Sequence, residues 1–132
     1  MFDAEPIVAH ADGEPGSGTV EAFLSAVEDG ESTGFVNYVN MTEVRYILAR
    51  KYDRRTADEY LDWLVSFGIV PVGIEEIWET AAEFVLDVNP ALGDSFALAT
   101  ATAKDATLLA GGDGDYDGVT DVPIECFRDG PA

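Results

Sequence analysis

The sequence predicts an α/β fold in which a parallel β-sheet of about five strands is covered by helices on both faces. Short apolar runs alternate along the chain with longer segments whose apolar residues recur at helical spacing. Strands that are separated by helices pair in parallel through crossover connections. The length of 132 residues further predicts a single domain over residues 1–132, long enough to bury a core without disulfides.

The predicted strands are short, and turn residues such as glycine, asparagine or proline lie next to several of them. The first strand consists of residues 1–2, which is very short and leaves open whether residues precede them. The other strands are predicted at residues 34–37, 69–72, 107–109 and 122–127.

The predicted helices carry apolar residues three or four positions apart, as Val44, Ile47 and Leu48 do. Glycine or proline follows several of them and ends the pattern. Helices are predicted at residues 5–11, at 19–28 with Thr19 as N-cap, from 40 or 42 to 51, and at 56–67, 74–88 and 95–104.

The composition is strongly acidic, with 26 Asp and Glu against 7 Lys and Arg and a net charge of −19. Apolar residues still make up 47% of the chain, which predicts a globular protein with an acidic surface and excludes an acidic disordered one. Such a surface is typical of a halophilic protein, because molar salt shortens the screening length to about 3 Å. A single acid therefore carries no functional argument except through its position.

Cysteine and hydropathy predict a cytoplasmic location. The lone Cys126 excludes an intramolecular disulfide and a cysteine-based zinc site. No apolar run approaches the ~20 residues that a membrane helix needs, and no signal peptide opens the sequence. The single histidine, His10, lies on a short predicted helix and is interpreted as a packing or surface residue, which disfavours histidine-dependent catalysis.

Acidic residues recur where predicted strands and helices begin or end. Asp3 follows the first strand, Glu43 lies about one turn into the helix after the second, and Asp94 precedes the helix 95–104. Asp113 and Asp115 follow the fourth strand. Ligands of parallel α/β sheets bind beyond the carboxyl ends of the strands, so we expect these acids to face one end of the sheet. Converging carboxylates are typical ligands of Mg²⁺ and point to phosphodiester chemistry.

Most of these acids also have an ordinary structural interpretation. Asp94 before a helix is often only an N-cap, and Glu43 could complete a capping box with Asn40. Asp3 is the exception, because an acid directly after a strand is expected to have no capping role. The loop from Asp113 resembles the first half of an EF-hand, but Ile124 stands where the bidentate glutamate belongs.

Basic residues are concentrated in one segment. Five of the seven lie between positions 45 and 55. They could balance charge at an exposed helix end, where cations favour the helix dipole. They could instead contact RNA phosphates or an acidic partner. The five residues are Arg45, Arg50, Lys51, Arg54 and Arg55.

Taken in order, these motifs resemble PIN-domain ribonucleases, and most closely the VapC-type toxins of prokaryotic toxin–antitoxin pairs. The motifs are Asp3-Ala4-Glu5-Pro6, Thr42-Glu43, the run from Gly93 to Ala99, and Asp113-Gly114-Asp115-Tyr116. The resemblance implies a metal-dependent endoribonuclease that binds Mg²⁺ or Mn²⁺. It implies Asp3, Glu43, Asp94 and Asp113 as catalytic metal ligands, with Asp115 as an outer or second-metal acid. It also implies a homodimer and a cognate antitoxin partner.

The chain departs from the family pattern at two places, and the departure at Gly111-Gly112 is the only support for an alternative function. Gly111-Gly112 stands where the family often has Ser or Thr, and Ala4-Glu5 stands where it often has a hydroxyl residue. The alternative is a non-catalytic PIN-fold module that binds RNA or protein. Trp63 and Phe67 on a predicted helix are interpreted either as core or as a surface for the dimer or the antitoxin.

Overall fold

A computed structural model of the chain describes residues 1–111, 116 and 118–128. Six α-helices lie in this part of the chain: α1 (Ala4–Asp12), α2 (Ser17–Glu28), α3 (Tyr38–Lys51), α4 (Arg54–Ser66), α5 (Trp78–Val88) and α6 (Leu92–Ala103). A 3₁₀ turn, Ile74–Glu76, precedes α5. The strands are β1 (Phe35–Asn37), β2 (Val70–Val72), β3 (Leu108–Ala110) and β4 (Ile124–Cys126).

The strands pair in parallel, as predicted, but the described residues form two two-stranded sheets. In one sheet β1 pairs with β2, and in the other β3 pairs with β4. The start of the chain lies between the two sheets. The Phe2 N–H donates to the Phe35 carbonyl at 2.9 Å, and the Asp3 N–H donates to the Leu109 carbonyl at 3.0 Å.

The prediction of one sheet of about five strands is therefore wrong for the described residues. The segment predicted as the first strand forms only an isolated bridge, between Phe2 and Leu109. The physical reason is that Asp3 already caps α1, so the extended backbone ends at Phe2. The other strands are three residues long.

Helices cover both faces of this layer. Phe2 and Leu109 lie in an apolar core with α1, α2, α3 and α4. Leu108 and Ala110, which flank Leu109, lie in a second core with α6. Because alternate residues of a strand point to opposite faces, the two cores lie on opposite sides of the strands. None of the described helices is long and apolar enough to cross a membrane.

Helix N-termini differ from the sequence predictions in ways that bear on the acids. Asp3 is the N-cap of α1 and accepts a hydrogen bond from the Ala4 N–H at 2.8 Å, so the expectation that it has no capping role was wrong. Asp94 lies in the first turn of α6, whose N-cap is Ala91. The interpretation of Asp94 as an N-cap is therefore also wrong.

The predicted capping box of Asn40 and Glu43 is absent from α3. The helix begins earlier, at Tyr38, and its N-cap is Asn37, whose side chain accepts from the Val39 N–H at 2.8 Å. Asn40 lies inside the helix and is fully buried. Neither Glu43 nor Asp94 therefore has the capping role that the sequence offered as its ordinary explanation.

Candidate functional site

Three of the predicted acids converge. Asp3, Glu43 and Asp94 line one pocket of about 340 Å³. They come from the N-cap of α1, the second turn of α3 and the first turn of α6. Helix α3 packs against both α1 and α6, which brings the three side chains to one place. Asp113 and Asp115 lie outside the described residues.

A larger pocket, of about 480 Å³, contains none of the predicted acids. Met1, Phe35 and Lys104 are among the residues that line it. It lacks the convergent carboxylates from which the sequence predicted a metal site, so the smaller pocket is the better candidate.

A buried amide lies between two of the acids. Asn40 Nδ2 is 3.4 Å from Asp3 Oδ1, 3.1 Å from Glu43 Oε1 and 3.1 Å from the Gly93 carbonyl oxygen. All three neighbours are acceptors, which fixes the amide orientation. Asn40 Oδ1 is buried and has no hydrogen-bond partner among the residues that the structure describes. This oxygen can therefore still accept a hydrogen bond.

A phenol lies between the other pair of acids. The Tyr116 hydroxyl is hydrogen-bonded to Asp3 Oδ2 and lies 3.1 Å from Asp94 Oδ1. The hydroxyl has one proton, so it donates to one carboxylate at a time. Sequence reasoning placed Tyr116 in a motif but gave it no role, as it gave Asn40 only a capping role.

Burial controls the charge of the site. The pKa of Asp3 is raised to about 6, mainly by burial and in part by the charge of Glu43, against the lowering effect of hydrogen bonds from Tyr116 and Ala4. Burial also raises the pKa of Glu43, to which the charge of Asp94 contributes. Burial and the charge of Asp3 raise the pKa of the Tyr116 hydroxyl, so it stays protonated. Among the described residues, no ion pair compensates the charge of Asp3 or Glu43, as expected of cation ligands.

One arginine reaches the edge of this pocket. Arg128 Nη1 is 2.9 Å from Glu5 Oε1, and Arg128 Nη2 is 2.8 Å from Glu14 Oε1. Its Nε donates to the Pro15 carbonyl at 3.1 Å. Arg128 therefore neutralises two acids outside the predicted set.

Gly111 and Glu5, one residue from each of the two departures from the family pattern, lie next to each other. A Cβ atom at position 111 would lie 2.0 Å from Glu5 Oε2, so a larger residue there would displace the flexible end of this side chain. Gly111 and Glu5 therefore fit each other in the present arrangement, in which Glu5 extends toward Gly111 and Arg128. Gly112 lies outside the described residues.

The donor set suits a hard divalent cation, although the pocket is not assembled around one. All of its candidate ligands are oxygens, which Mg²⁺ and Mn²⁺ prefer. Among residues 1–111, 116 and 118–128, no three acidic, histidine or cysteine side chains stand at metal-binding spacing. The Asn40 amide and the Tyr116 hydroxyl separate the carboxylates. The residues fit the cation in chemistry and burial.

The basic segment lies away from the acid pocket, toward the C-terminal end of α3. Three of its residues form ion pairs with acids: Arg45 with Asp58 at 2.8 Å, Lys51 with Asp12, and Arg55 with Glu59 at 2.9 Å. The Arg50 guanidinium lies 4.9 Å from the centre of the Tyr46 ring. Arg54 lies at the start of α4.

His10 also lies outside the acid pocket. Its ring is hydrogen-bonded to Tyr60 at 2.7 Å and to Glu21, and it stacks on Trp63 at 5.9 Å between ring centres. Trp63 stacks in turn on Phe67 at 4.8 Å. The histidine is a packing residue, and the three rings form a partly exposed stack between α1 and α4.

The fold and the pocket agree with a comparison against protein families. A family model described as "PIN domain" matches residues 1–121. The chain belongs to the PIN domain family. The resemblance read from the sequence is thereby confirmed for the family.

Solved structures support the same fold. The chain is similar to one in the "Crystal structure of VapBC2 from Rickettsia felis bound to a DNA fragment from their promoter", with a TM-score of 0.73 and 14% identity. The match covers 96% of this chain and 96% of that chain. At this identity the likeness concerns the fold alone. A search of curated proteins finds no match.

Proposed function

We propose that this PIN-domain protein is a metal-dependent endoribonuclease of the VapC type, the toxin of a toxin–antitoxin pair. One observation carries the proposal: Asp3, Glu43 and Asp94 converge in a single pocket of a PIN-domain chain. Their positions match the order of acids in the family's motifs. A pocket of carboxylates without a histidine suits phosphodiester hydrolysis assisted by metal ions.

Asp3, Glu43, Asp94 and Asp113 would hold Mg²⁺ or Mn²⁺, with Asp115 as an outer acid. A bound cation lowers the pKa of a water molecule and stabilises charge on the scissile phosphate. Asn40 orients two of the carboxylates through its Nδ2 protons. Tyr116 keeps its proton between Asp3 and Asp94 and so reduces their repulsion in the metal-free protein.

We also propose a halophilic, cytoplasmic setting, a homodimer and an antitoxin that covers the site. The net charge of −19 repels RNA and is screened in molar salt. The similar structure is titled a VapBC2 complex bound to promoter DNA, which supports the search for a partner encoded alongside this chain. The partly exposed Trp63 offers apolar surface for such contacts.

The non-catalytic alternative is not favoured. Its only support was Gly111-Gly112 in place of Ser or Thr, and at position 111 the Glu5 carboxylate occupies the space that a side chain would need. The three described acids of the family pattern are all present in the pocket.

Cleavage of total cellular RNA tests the proposed function. The assay would be run in molar KCl with Mn²⁺ or with EDTA, using the wild type, Asp94→Asn and Asp87→Asn. Asp87 is exposed on α5 and lies outside the pocket, so it controls for loss of one carboxylate. We expect discrete Mn²⁺-dependent fragments from the wild type and Asp87→Asn, and none from Asp94→Asn. Full activity in Asp94→Asn, or none in a folded wild type, would contradict the proposal.

A further inference from the structure

A second cleft lies beyond the acid pocket, where α3 turns into α4. It has a volume of about 440 Å³ and is lined by Arg45, Tyr46, Ala49, Arg50, Tyr52, Asp53 and Arg54. The one acid, Asp53, caps α4 and accepts a hydrogen bond from the Thr56 N–H. Three of the chain's seven basic residues thus line one cleft, together with two tyrosines. Lys51 and Arg55, which the sequence placed in the same basic group, do not line it.

Two of the three arginines are available for a ligand. Arg45 is held by Asp58 through Nε at 2.8 Å and Nη2 at 3.3 Å. Within the part of the chain that the structure describes, Arg50 and Arg54 form no ion pair. A guanidinium binds phosphate through paired N–H donors. In a chain of net charge −19, such a concentration of cations, two of them outside any described ion pair, indicates an anionic ligand.

The tyrosines indicate what kind of anion. Tyr46 is 43% exposed and Tyr52 is 52% exposed, so both rings present surface to the solvent. The Tyr52 hydroxyl is hydrogen-bonded to Asp12, which anchors that ring. Exposed aromatic faces beside guanidinium groups stack the bases of single-stranded RNA while the cations hold its phosphates. An acidic peptide would use the arginines and leave the rings without a role.

Helix geometry connects this cleft to the acid pocket. Glu43, Tyr46, Ile47 and Arg50 occupy positions i, i+3, i+4 and i+7 of α3, so they share one face of the helix. Glu43 and Ile47 line the acid pocket, and Tyr46 and Arg50 line the basic cleft. At 1.5 Å per residue, Glu43 and Arg50 are about 10 Å apart along the axis.

We propose that this Arg–Tyr cleft, defined by Tyr46, Arg50, Tyr52 and Arg54, binds single-stranded RNA next to the scissile phosphate. The proposal rests on the proposed endoribonuclease function. A nucleotide base stacks on the tyrosines, Arg50 and Arg54 hold backbone phosphates, and the strand follows the exposed stripe of α3 into the acid pocket. The Arg–Tyr cleft supplies affinity for RNA, and the acids of the pocket supply the cleavage of its phosphodiester bond.

RNA binding without turnover tests the cleft directly. Full-length protein carrying Asp94→Asn would bind a fluorescein-labelled single-stranded RNA in EDTA, with fluorescence anisotropy as the readout. Added Arg50→Gln is compared with added Lys104→Gln, which removes the same charge outside the cleft, next to Phe35. We expect Arg50→Gln to weaken binding about tenfold and Lys104→Gln to change it less than about twofold. Equal effects of the two variants would overturn the proposal.

A ring-specific pair of variants separates stacking from charge. We expect Tyr46→Leu to weaken RNA binding about tenfold and Tyr46→Phe to keep it, because only the ring face is needed. Equal binding by Tyr46→Leu and Tyr46→Phe would overturn the stacking assignment. Competition by a poly-glutamate peptide at lower concentration than RNA would assign the cleft to a protein partner and also overturn it.

The binding and cleavage assays together distinguish failure of the proposed RNA-binding cleft from failure of the proposed nuclease function. If the wild type fails to cleave RNA but Arg50→Gln still loses binding selectively, the nuclease function fails and the cleft stands. If the wild type cleaves RNA and Arg50→Gln binds and cleaves as well as Lys104→Gln, the nuclease stands and the cleft fails.

Discussion

Helix α3 carries two charged sites of opposite character at its two ends. Near its N-terminus, the buried Asn40 contacts carboxylates whose pKa values are raised by burial. Near its C-terminus, Arg50 and Tyr46 are exposed to solvent. In so acidic a chain, burial therefore distinguishes the acids of the candidate site from the other acids. Clustering distinguishes the basic residues of the Arg–Tyr cleft.

Neither charged site of α3 is explained by a contribution to the stability of the fold. Carboxylates that converge in a low-dielectric pocket oppose folding until a cation or a proton compensates them. The ion pairs of the basic segment, such as Arg45 with Asp58, are exposed on both sides and contribute little. We therefore propose that each end of α3 binds a ligand, a cation at the N-terminal end and a nucleic acid at the C-terminal end.

The largest expected effect comes from removing one acid of the buried end. Glu43→Gln keeps the size of the side chain but removes its charge, so we expect Mn²⁺-dependent RNA cleavage to fall about 10³-fold or more, as for loss of several kcal/mol of electrostatic stabilisation. Initial rates of RNA cleavage measure this. Glu83→Gln, exposed on α5, is the control and should cleave normally. Similar rates in both variants would remove Glu43 from the site.

The next largest effect is expected on the free energy of unfolding of the metal-free protein when the charge of Asp3 is removed. The folded pKa of Asp3, about 6, lies above the value of about 3.9 for an unfolded chain. The folded state therefore binds the proton more tightly, and its stability falls as pH rises from about 4 to 6. Asp3→Asn keeps the helix cap and removes the charge, so metal-free Asp3→Asn should be more stable than the wild type by about 2–3 kcal/mol above pH 6.

Urea denaturation in EDTA between pH 4 and 8 measures this difference. It should become small near pH 4, where the wild-type Asp3 is protonated in the folded state and about half protonated in the unfolded state. Mn²⁺ should then stabilise the wild type above pH 6 but not Asp3→Asn. A variant that is less stable than the wild type at every pH would contradict the assignment of a buried, charge-destabilised acid.

A smaller effect is expected from crowding Glu43 without changing any charge. A Cβ atom at Gly93 would lie 2.4 Å from Glu43 Oε1, at the flexible end of that side chain. Gly93→Ala should therefore leave the free energy of unfolding nearly unchanged but displace the carboxylate and weaken Mn²⁺ binding about tenfold, about 1.4 kcal/mol. Calorimetric titration with Mn²⁺ measures this. Gly18→Ala, in the first turn of α2 with nothing near its Cβ position, should bind Mn²⁺ normally.

The smallest effect is expected for Arg54, which lines the Arg–Tyr cleft at the start of α4. Arg54→Gln should lower the slope of log affinity against log salt for single-stranded RNA by about 0.7, the value for one lost phosphate contact. Anisotropy titrations over a series of KCl concentrations measure the slope. An unchanged slope would show that Arg54 contacts no phosphate and would narrow the cleft to Arg50 and the tyrosines.

Much of the fold followed from the sequence because it depends on local patterns. Helical spacing predicted the segments that became α1 to α6, and alternating elements predicted parallel pairing. The sequence also led us to expect Asp3, Glu43 and Asp94 at one end of the strands. The number of strands in one sheet was overestimated, because periodicity does not show which short strands find a partner.

The contacts that tune the site could not be read from the sequence. Tyr116 reaches Asp3 across 113 positions, and its place depends on the path of the chain after β3. Asn40 was assigned to a cap because the true cap, Asn37, lies three residues earlier with the same chemistry. The fit of Glu5 against Gly111 is a matter of distance between side chain and backbone, which no local pattern encodes.

Single-turnover cleavage of one RNA by the wild type, Asp94→Asn and Arg50→Gln tests most directly whether α3 separates chemistry from binding. Rates are measured over a range of protein concentrations in Mn²⁺. The account predicts that Asp94→Asn abolishes cleavage while it still binds the RNA, and that Arg50→Gln reaches the wild-type rate only at about tenfold higher protein concentration. A loss of the saturating rate in Arg50→Gln as large as that in Asp94→Asn would contradict the account.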